Sequence, residues 1–170
     1  FLYIAPGRVS GLRKHVAGWL SHEEGLRFLF EGKGHLRYDR PVRDQANFVE
    51  PGAQNVLGYA ALEASVGLIS ALGVPAIHEH VNAYLDRLEG PLVERGFKSF
   101  RAADTEGRGG TLSLLPPSQV DGAALQRDLV AAGIACTFPD GNIRFAPHWP
   151  NAFDEVPEVI AAVDRSLAAR

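Results

Sequence analysis

The sequence contains no methionine among its 170 residues and only one cysteine, Cys136. A single cysteine excludes an internal disulfide and is typical of a reducing compartment, so we expect a cytoplasmic protein. The absence of methionine includes the first position, where Phe1 begins an apolar run, FLYIA. We therefore expect the chain to be the C-terminal part of a longer polypeptide.

Excess positive charge is also missing, since 17 Lys and Arg residues stand against 20 Asp and Glu residues. No run of basic residues forms a stripe, so a nucleic-acid-binding face is not indicated. The most apolar stretch, residues 59–77, is interrupted by Glu63 and Pro75 and predicts a core helix rather than a membrane span. We expect neither a nucleic acid nor a membrane as a partner.

The patterns that would indicate a metal site or a nucleotide loop are absent as well. His78 and His80 lie two residues apart and cannot share a helix face, and no Cys and His residues have zinc-ligand spacing. Residues 107–110 are rich in glycine but lack the lysine and the following helix of a P-loop. We interpret this segment as a hairpin turn.

The first half of the chain predicts few regular elements. Residues 1–5 are apolar and end at a Pro-Gly pair, which predicts a short buried strand. Residues 8–47 have little periodicity and form a long irregular segment, which is typical of functional loops. Residues 54–72 are apolar on several faces and predict a mostly buried helix. A second helix begins near Pro75, and the pair at 90–91 should kink or break it.

The second half alternates strands and helices. The pattern predicts strands at 97–102, 111–115, 134–138 and 143–146, with helices at 121–132 and 153–169. The order of strand, strand, helix, strand, strand and helix predicts a small α+β domain with an antiparallel sheet covered by helices.

One charged residue, Arg144, interrupts the last apolar strand. Strands favour β-branched and aromatic residues, whereas a guanidinium requires a carboxylate or phosphate partner if it is buried. Two interpretations remain open from position alone: an anion-binding residue, or an edge-strand arginine that faces solvent or pairs with a local acid. Beyond the strand, Asn151 with Asp154 three residues later predicts the start of the last helix.

Five segments, in this order, resemble fold-type I pyridoxal-phosphate (PLP) enzymes of the class V aminotransferase group, which includes kynureninases, isopenicillin N epimerase and cysteine desulfurases. The segments are FLYIAP, GWLSHEEGLRF, EPGAQNVLGYAALEAS, RGGTLSLLPP and GIACTFPDGNIRFAPHWPNAFDEV. The resemblance covers nearly the whole chain. It implies an α/β fold overall, with residues 1–53 ending the large domain, residues 54–96 forming interdomain helices and residues 97–170 forming the small domain.

The resemblance also implies roles for individual residues. Arg144 would bind the carboxylate of an amino-acid substrate, and His22 would border that substrate. Trp19 and Ala53 would lie at the cofactor, PLP. Ala53 departs from the family, which has Thr or Asn there to reach the cofactor phosphate of the neighbouring subunit, so only its backbone N–H can donate that hydrogen bond.

The lysine that would hold PLP as a Schiff base has no counterpart here. The chain has three lysines, Lys14, Lys33 and Lys98, and none has the sequence context of the family's lysine. The resemblance implies that this lysine lies upstream of Phe1, in the large domain of the same polypeptide. We therefore expect this chain to be inactive alone and the complete protein to be a homodimer.

The reaction stays open at this stage. The segment GWLSHEE suggests kynureninase-like hydrolysis, while transaminase, epimerase or lyase chemistry is the alternative. A desulfurase would need a reactive cysteine on a flexible loop, but Cys136 lies directly before a tight Pro-Asp-Gly turn, which predicts a buried and inert thiol. A different class also fits: a non-catalytic α+β interaction module derived from such an enzyme.

Overall fold

A computed structural model describes residues 1–34, 37 and 39–169 of the chain. The backbone divides into two compact units, Phe1–Ala64 and Ser65–Arg170. The predicted division at residues 53 and 96 follows from the resemblance and stays a prediction.

The first unit has little regular structure, as its sequence indicates. It contains the short helix α1 (Arg27–Glu31) and single 3-10 turns at Val9–Gly11 and Ala46–Val49. The predicted strand at residues 1–5 is wrong, because this segment is irregular and Phe1 is 95% exposed. A strand requires a hydrogen-bonded neighbour, and none of the described residues pairs with this segment.

Helix α2 (Val56–Leu72) begins where Asn55 accepts a hydrogen bond from the Gly58 N–H at 2.9 Å, as an N-cap does. The expectation that this helix is mostly buried is wrong. None of its residues is buried, and Leu57 is 85% exposed. Composition tells how apolar a helix is, but burial also requires a neighbouring surface, and the described chain provides little of it.

Helix α3 (Val74–Glu94) starts with Pro75 in its first turn, as predicted. Of the predicted kink or break at 90–91, the break is wrong, since the helix continues through Pro91. An internal proline costs about 3 kcal/mol because it removes one backbone hydrogen bond. Leu88 and Leu92, which flank it, are 0–1% exposed, and burial of two such side chains offsets much of that cost.

The second unit forms a three-stranded antiparallel sheet covered by helices, which confirms the predicted α+β architecture. The elements of this unit after α3 are β1 (Lys98–Ser99), β2 (Leu112–Leu115), α4 (Gly122–Ala131), β3 (Ile143–Phe145) and α5 (Val156–Ala168). The strands lie in the sheet in chain order, with β2 between β1 and β3.

The strand predicted at 134–138 is reduced to one isolated bridge, between Thr137 and Arg144. The N–H of Ile134 instead bonds to the Leu129 carbonyl oxygen at 2.9 Å, which closes the C-terminus of α4 around Gly133, whose φ is +84°. Pro139 has no N–H to donate. Thr137 is therefore the residue of this segment that pairs with β3.

The core of the second unit is mainly aliphatic. Helix α3 contributes Leu85, Leu88 and Leu92, and the sheet contributes alternate residues that face the helices. The other fully buried side chains are Leu112, Leu114, Leu125, Leu129, Ile143 and Val163.

No single described helix is long and apolar enough to cross a membrane. Helices α2 and α3 reach the length and apolar composition of a membrane span only when taken together, and they are bent by 78° at their junction.

Helix α4 provides a matched pair of residues for testing the core. Leu129 is 1% exposed and its neighbour Val130 is 50% exposed. We expect Leu129→Ala to lower the free energy of unfolding by about 2–5 kcal/mol, because it leaves a cavity in the core. Val130→Ala should change it by less than about 0.5 kcal/mol. Urea unfolding followed by circular dichroism measures both, and equal effects would contradict the burial of Leu129.

Candidate functional site

Arg144 occupies the centre of β3 and faces away from the core. Its neighbours Ile143 and Phe145 are buried, so the two-residue period of a strand directs the Arg144 side chain to the exposed face. Arg144 pairs with Ser113 on β2 and with Thr137 on the other side. Its Nε donates to the Thr137 Oγ1 at 3.2 Å.

The Arg144 guanidinium has no ion-pair partner among the described residues. By contrast, Arg95 forms two hydrogen bonds to the Asp164 carboxylate, at 2.5 and 2.8 Å. The interpretation of Arg144 as a partner of a local acid is therefore not supported in the described part of the chain. Its cationic end remains available to an anion.

Trp19 and His22 lie on one tight turn of the first unit, and Ser21 holds this turn in place. The Ser21 side chain is fully buried, donates to the Phe48 carbonyl oxygen at 2.6 Å and accepts from the Gly18 N–H at 3.0 Å. One hydroxyl group thus connects the turn to the segment that leads into α2.

Two glycines allow the turn to approach residues 51–52 closely. A Cβ atom at Gly18 would lie 2.2 Å from the Pro51 carbonyl oxygen, which is a severe clash. A Cβ atom at Gly52 would lie 3.3 Å from the Trp19 Nε1. The half-buried indole of Trp19 therefore lies directly beside the residue that precedes Ala53.

His22 is only 7% exposed. Its Nδ1 lies 2.6 Å from the Arg40 carbonyl oxygen, and because a carbonyl only accepts, this nitrogen must carry the proton. The backbone of His22 also bridges to Val42, and its carbonyl oxygen accepts from the Arg43 Nε at 3.0 Å. These contacts fix the ring within the first unit, and its role towards a substrate stays a prediction.

Ala53 lies in the exposed loop that leads to α2. Among the described residues, the backbone N–H groups of Ala53, Gln54 and Asn55 donate no backbone hydrogen bond. These groups precede a helix of 17 residues, whose N-terminus carries a partial positive charge. Such a group of donors can bind a phosphate without any polar side chain at position 53.

The structure thus brings together two of the predicted site segments. Trp19 lies beside the residue before Ala53, with His22 on the same turn. Arg144 belongs to the second unit, where its surroundings are the strand neighbours described above.

The loop after β3 is organised by Glu155 rather than by the predicted Asn151–Asp154 pair. The Glu155 carboxylate accepts from the Asn151 Nδ2 at 2.9 Å and from the Ala152 N–H at 3.0 Å. These bonds, the Asn151 amide first, lower the pKa of Glu155, and the nearby Tyr84 hydroxyl lowers it further. The predicted cap, Asn151, lies one residue early, because Ala152 precedes the 3-10 turn Phe153–Glu155 that leads into α5, whereas the predicted helix start at 153 is the first residue of that turn.

The cysteine and two of the lysines of the described chain are engaged by neighbouring groups or shielded by burial. Burial raises the pKa of the Cys136 thiol, which agrees with the predicted inert cysteine. The Lys14 Nζ pairs with Asp44 at 3.0 Å, and Lys98 lies over the Phe100 ring. No group of three or more His, Cys, Asp or Glu residues in the described chain could hold a metal ion.

A cavity of about 400 Å³ opens in the second unit, between Tyr84, Ile134, Phe145 and Glu155. Two of its polar side chains, Asn151 and Glu155, already take part in the hydrogen bonds that lead into the last helix. The other polar side chains of its lining are Tyr84 and the exposed Glu158.

No protein-family model matches the sequence, and no curated protein matches it. Solved structures do resemble the fold, and three of them are described in turn. The apo cysteine desulfurase from Thermococcus onnurineus NA1 matches with a TM-score of 0.80 and 14% identity, over 99% of this chain and 42% of that chain. The cysteine desulfurase CsdA from Escherichia coli matches with a TM-score of 0.68 and 22% identity, over 78% of this chain and 36% of that chain. A NifS-like protein matches with a TM-score of 0.59 and 22% identity, over 79% of this chain and 41% of that chain.

These likenesses confirm the predicted fold class. The chain has the fold of the C-terminal part of cysteine desulfurases and spans about two fifths of the length of those solved chains. At these identities the likeness shows the fold and leaves the activity to be argued from the residues.

Gly18 tests the close approach of the Trp19 turn. We expect Gly18→Ala to push the turn away from Pro51, because the new methyl group has no space. In a Trp149→Phe background, where Trp19 is the remaining tryptophan, its fluorescence emission should shift to longer wavelength. Gly11→Ala is the control, since a Cβ there meets nothing within 4 Å. Identical spectra for the two variants would contradict this packing.

The contribution of Glu155 to the loop after β3 can be tested through the pH dependence of stability. Because its pKa is lower in the folded state, the stabilisation that it provides is complete above its unfolded pKa and is lost as the pH falls through its folded pKa. We expect Glu155→Gln to lower the melting temperature at pH 7 and to reduce its fall between pH 5 and pH 3, as measured by thermal unfolding. Glu158→Gln, on the exposed side of α5, should leave both unchanged.

Proposed function

We propose that this chain is the C-terminal part of a PLP-dependent enzyme that acts on an amino acid, with Arg144 as the residue that binds the substrate carboxylate. The observation that carries the proposal is the exposed guanidinium at the centre of β3, which has no carboxylate partner in the described chain. A planar guanidinium matches a carboxylate with two parallel hydrogen bonds. The five ordered segments and the desulfurase-like fold support the same proposal.

The residues of the first unit fit the cofactor. The N–H groups at 53–55 would bind its phosphate, and the indole of Trp19 would pack at its edge. When bound, PLP supplies an electron sink that weakens the bonds at the substrate Cα atom. Ala53 would contribute through its backbone N–H only, as an alanine must.

The lysine that such chemistry needs is proposed to lie upstream of Phe1. Lys14 is engaged by Asp44 and by the Val42 carbonyl oxygen, and Lys98 lies 5.5 Å from the centre of the Phe100 ring. Neither lies on the turn that holds Trp19. We also propose that the upstream domain of the same polypeptide covers α2, that the complete enzyme is a homodimer and that it is cytoplasmic.

The type of reaction is proposed from the reactivity of the chain's one cysteine. Sulfur transfer of the kind named for the structural neighbours would need a reactive thiol, and the chain's one cysteine is half-buried with a raised pKa. We therefore favour a reaction without an enzyme thiol from this chain. Kynureninase-like hydrolysis, transamination, epimerisation and lyase chemistry all meet this condition.

A second candidate is a non-catalytic interaction module. It is favoured by the alanine at position 53 and by the absence of a lysine in the family's context. The two candidates differ in whether the complete polypeptide binds PLP, which the visible absorption of the purified protein reveals directly.

Arg144 provides the test of the leading proposal. In the complete polypeptide loaded with PLP, Arg144→Ala should raise the dissociation constant of L-alanine about 100-fold, because one charge-assisted bidentate pair contributes about 2–3 kcal/mol. The cofactor's own absorption band should not change. Arg127→Ala removes an exposed arginine from α4 and serves as the matched control.

Two outcomes would count against the proposal. Unchanged affinity in Arg144→Ala would make this arginine a surface residue without a substrate role. Absence of PLP from the complete wild-type protein would favour the interaction module.

A further inference from the structure

Arg144 is connected to Thr137 by three hydrogen bonds. The Arg144 N–H donates to the Thr137 carbonyl oxygen at 2.8 Å, and the Thr137 N–H donates to the Arg144 carbonyl oxygen at 3.1 Å. Residues that are directly opposed in this way have side chains on the same face of the sheet. The third bond, from the Arg144 Nε to the Thr137 Oγ1 at 3.2 Å, follows from that geometry.

The third bond determines which edge of the guanidinium remains available. A guanidinium can bind a carboxylate with two bonds either through Nε and one Nη or through both Nη atoms. Thr137 occupies the Nε–H, and its β-branched side chain has few rotamers, so the acceptor is held in place. The edge formed by the two Nη atoms is the one left for a ligand.

The opposite flank of Arg144 is also small and uncharged. Ser113 pairs with Arg144 on β2 and shares its face of the sheet. Neither flanking side chain carries a negative charge that would compete with an incoming carboxylate for the guanidinium.

We propose that Thr137 is a positioning residue, which commits Arg144 to bind the substrate carboxylate end-on through its two Nη atoms. This inference rests on the proposed role of Arg144. It adds that affinity for carboxylates depends on the Thr137 hydroxyl as an acceptor, although Thr137 itself does not touch the ligand.

The test measures binding of lactate, which has a carboxylate but no amine, to the complete polypeptide by calorimetry. Thr137→Val should weaken lactate binding about fivefold to tenfold, because the guanidinium loses its fixed orientation. Thr137→Ser, which keeps the hydroxyl, should bind within twofold of wild type. Thr111→Val, at an exposed threonine before β2, should bind like wild type.

Binding of isopropylamine, which has no carboxylate, provides the readout that a general structural role would change. It should be the same in Thr137→Val as in wild type. If Thr137→Val does not fold, comparison of Thr137→Ser with Thr137→Ala isolates the hydroxyl in the same way.

The outcomes separate this inference from the proposed function. If Arg144→Ala abolishes lactate binding and Thr137→Val leaves it unchanged, Thr137 has no positioning role while Arg144 keeps its own. Equal loss in Thr137→Ser and Thr137→Val would also overturn the inference, since the hydroxyl would then be irrelevant. If Arg144→Ala itself has no effect, the proposed function fails.

Discussion

Burial of Ile143 and Phe145 against the helices is the constraint on which the candidate site depends. Both side chains belong to the hydrophobic core of the second unit. Because side chains alternate along a strand, their burial forces the residue between them outward and sets its pairing with Ser113 and Thr137. A slip of one residue would place a guanidinium in the core, which its desolvation cost excludes. The core therefore orients the charged side chain as firmly as the local contacts do.

The sequence predicted those elements whose signals are local. The start of α3 near Pro75 and the helix at 121–132 were predictable, because caps and turns depend on a few adjacent residues, such as Asp121 at the N-cap of α4 and Gly133 after its end. Elements that need a partner were predicted less well. Residues 1–5 and 134–138 have strand-like composition, but a strand exists only where a neighbour accepts its hydrogen bonds. The prediction that α2 is buried failed for a similar reason, because burial requires a neighbouring surface.

The candidate site was predictable only in part. Arg144 was recognisable because a charge in an apolar strand is unusual, and the Trp19 segment because it resembles a known family. Thr137 was missed, because its role follows from the register of two segments that are seven residues apart in the chain. Strand alternation combined with the tight turn at 139–142 contains the signal in principle. The Ser21 hydroxyl, which joins two loops across 27 residues, had no such signal.

The exposed surface of α2 has a consequence for the lifetime of the polypeptide in the cell. Leucine and valine side chains lie open along a helix of 17 residues, and chaperones and proteases recognise apolar surface of this kind in incompletely assembled proteins. A surface that covers α2 would therefore also remove a signal for degradation. The abundance of the protein should then follow how quickly this helix becomes covered after synthesis, in addition to how stable the folded core is.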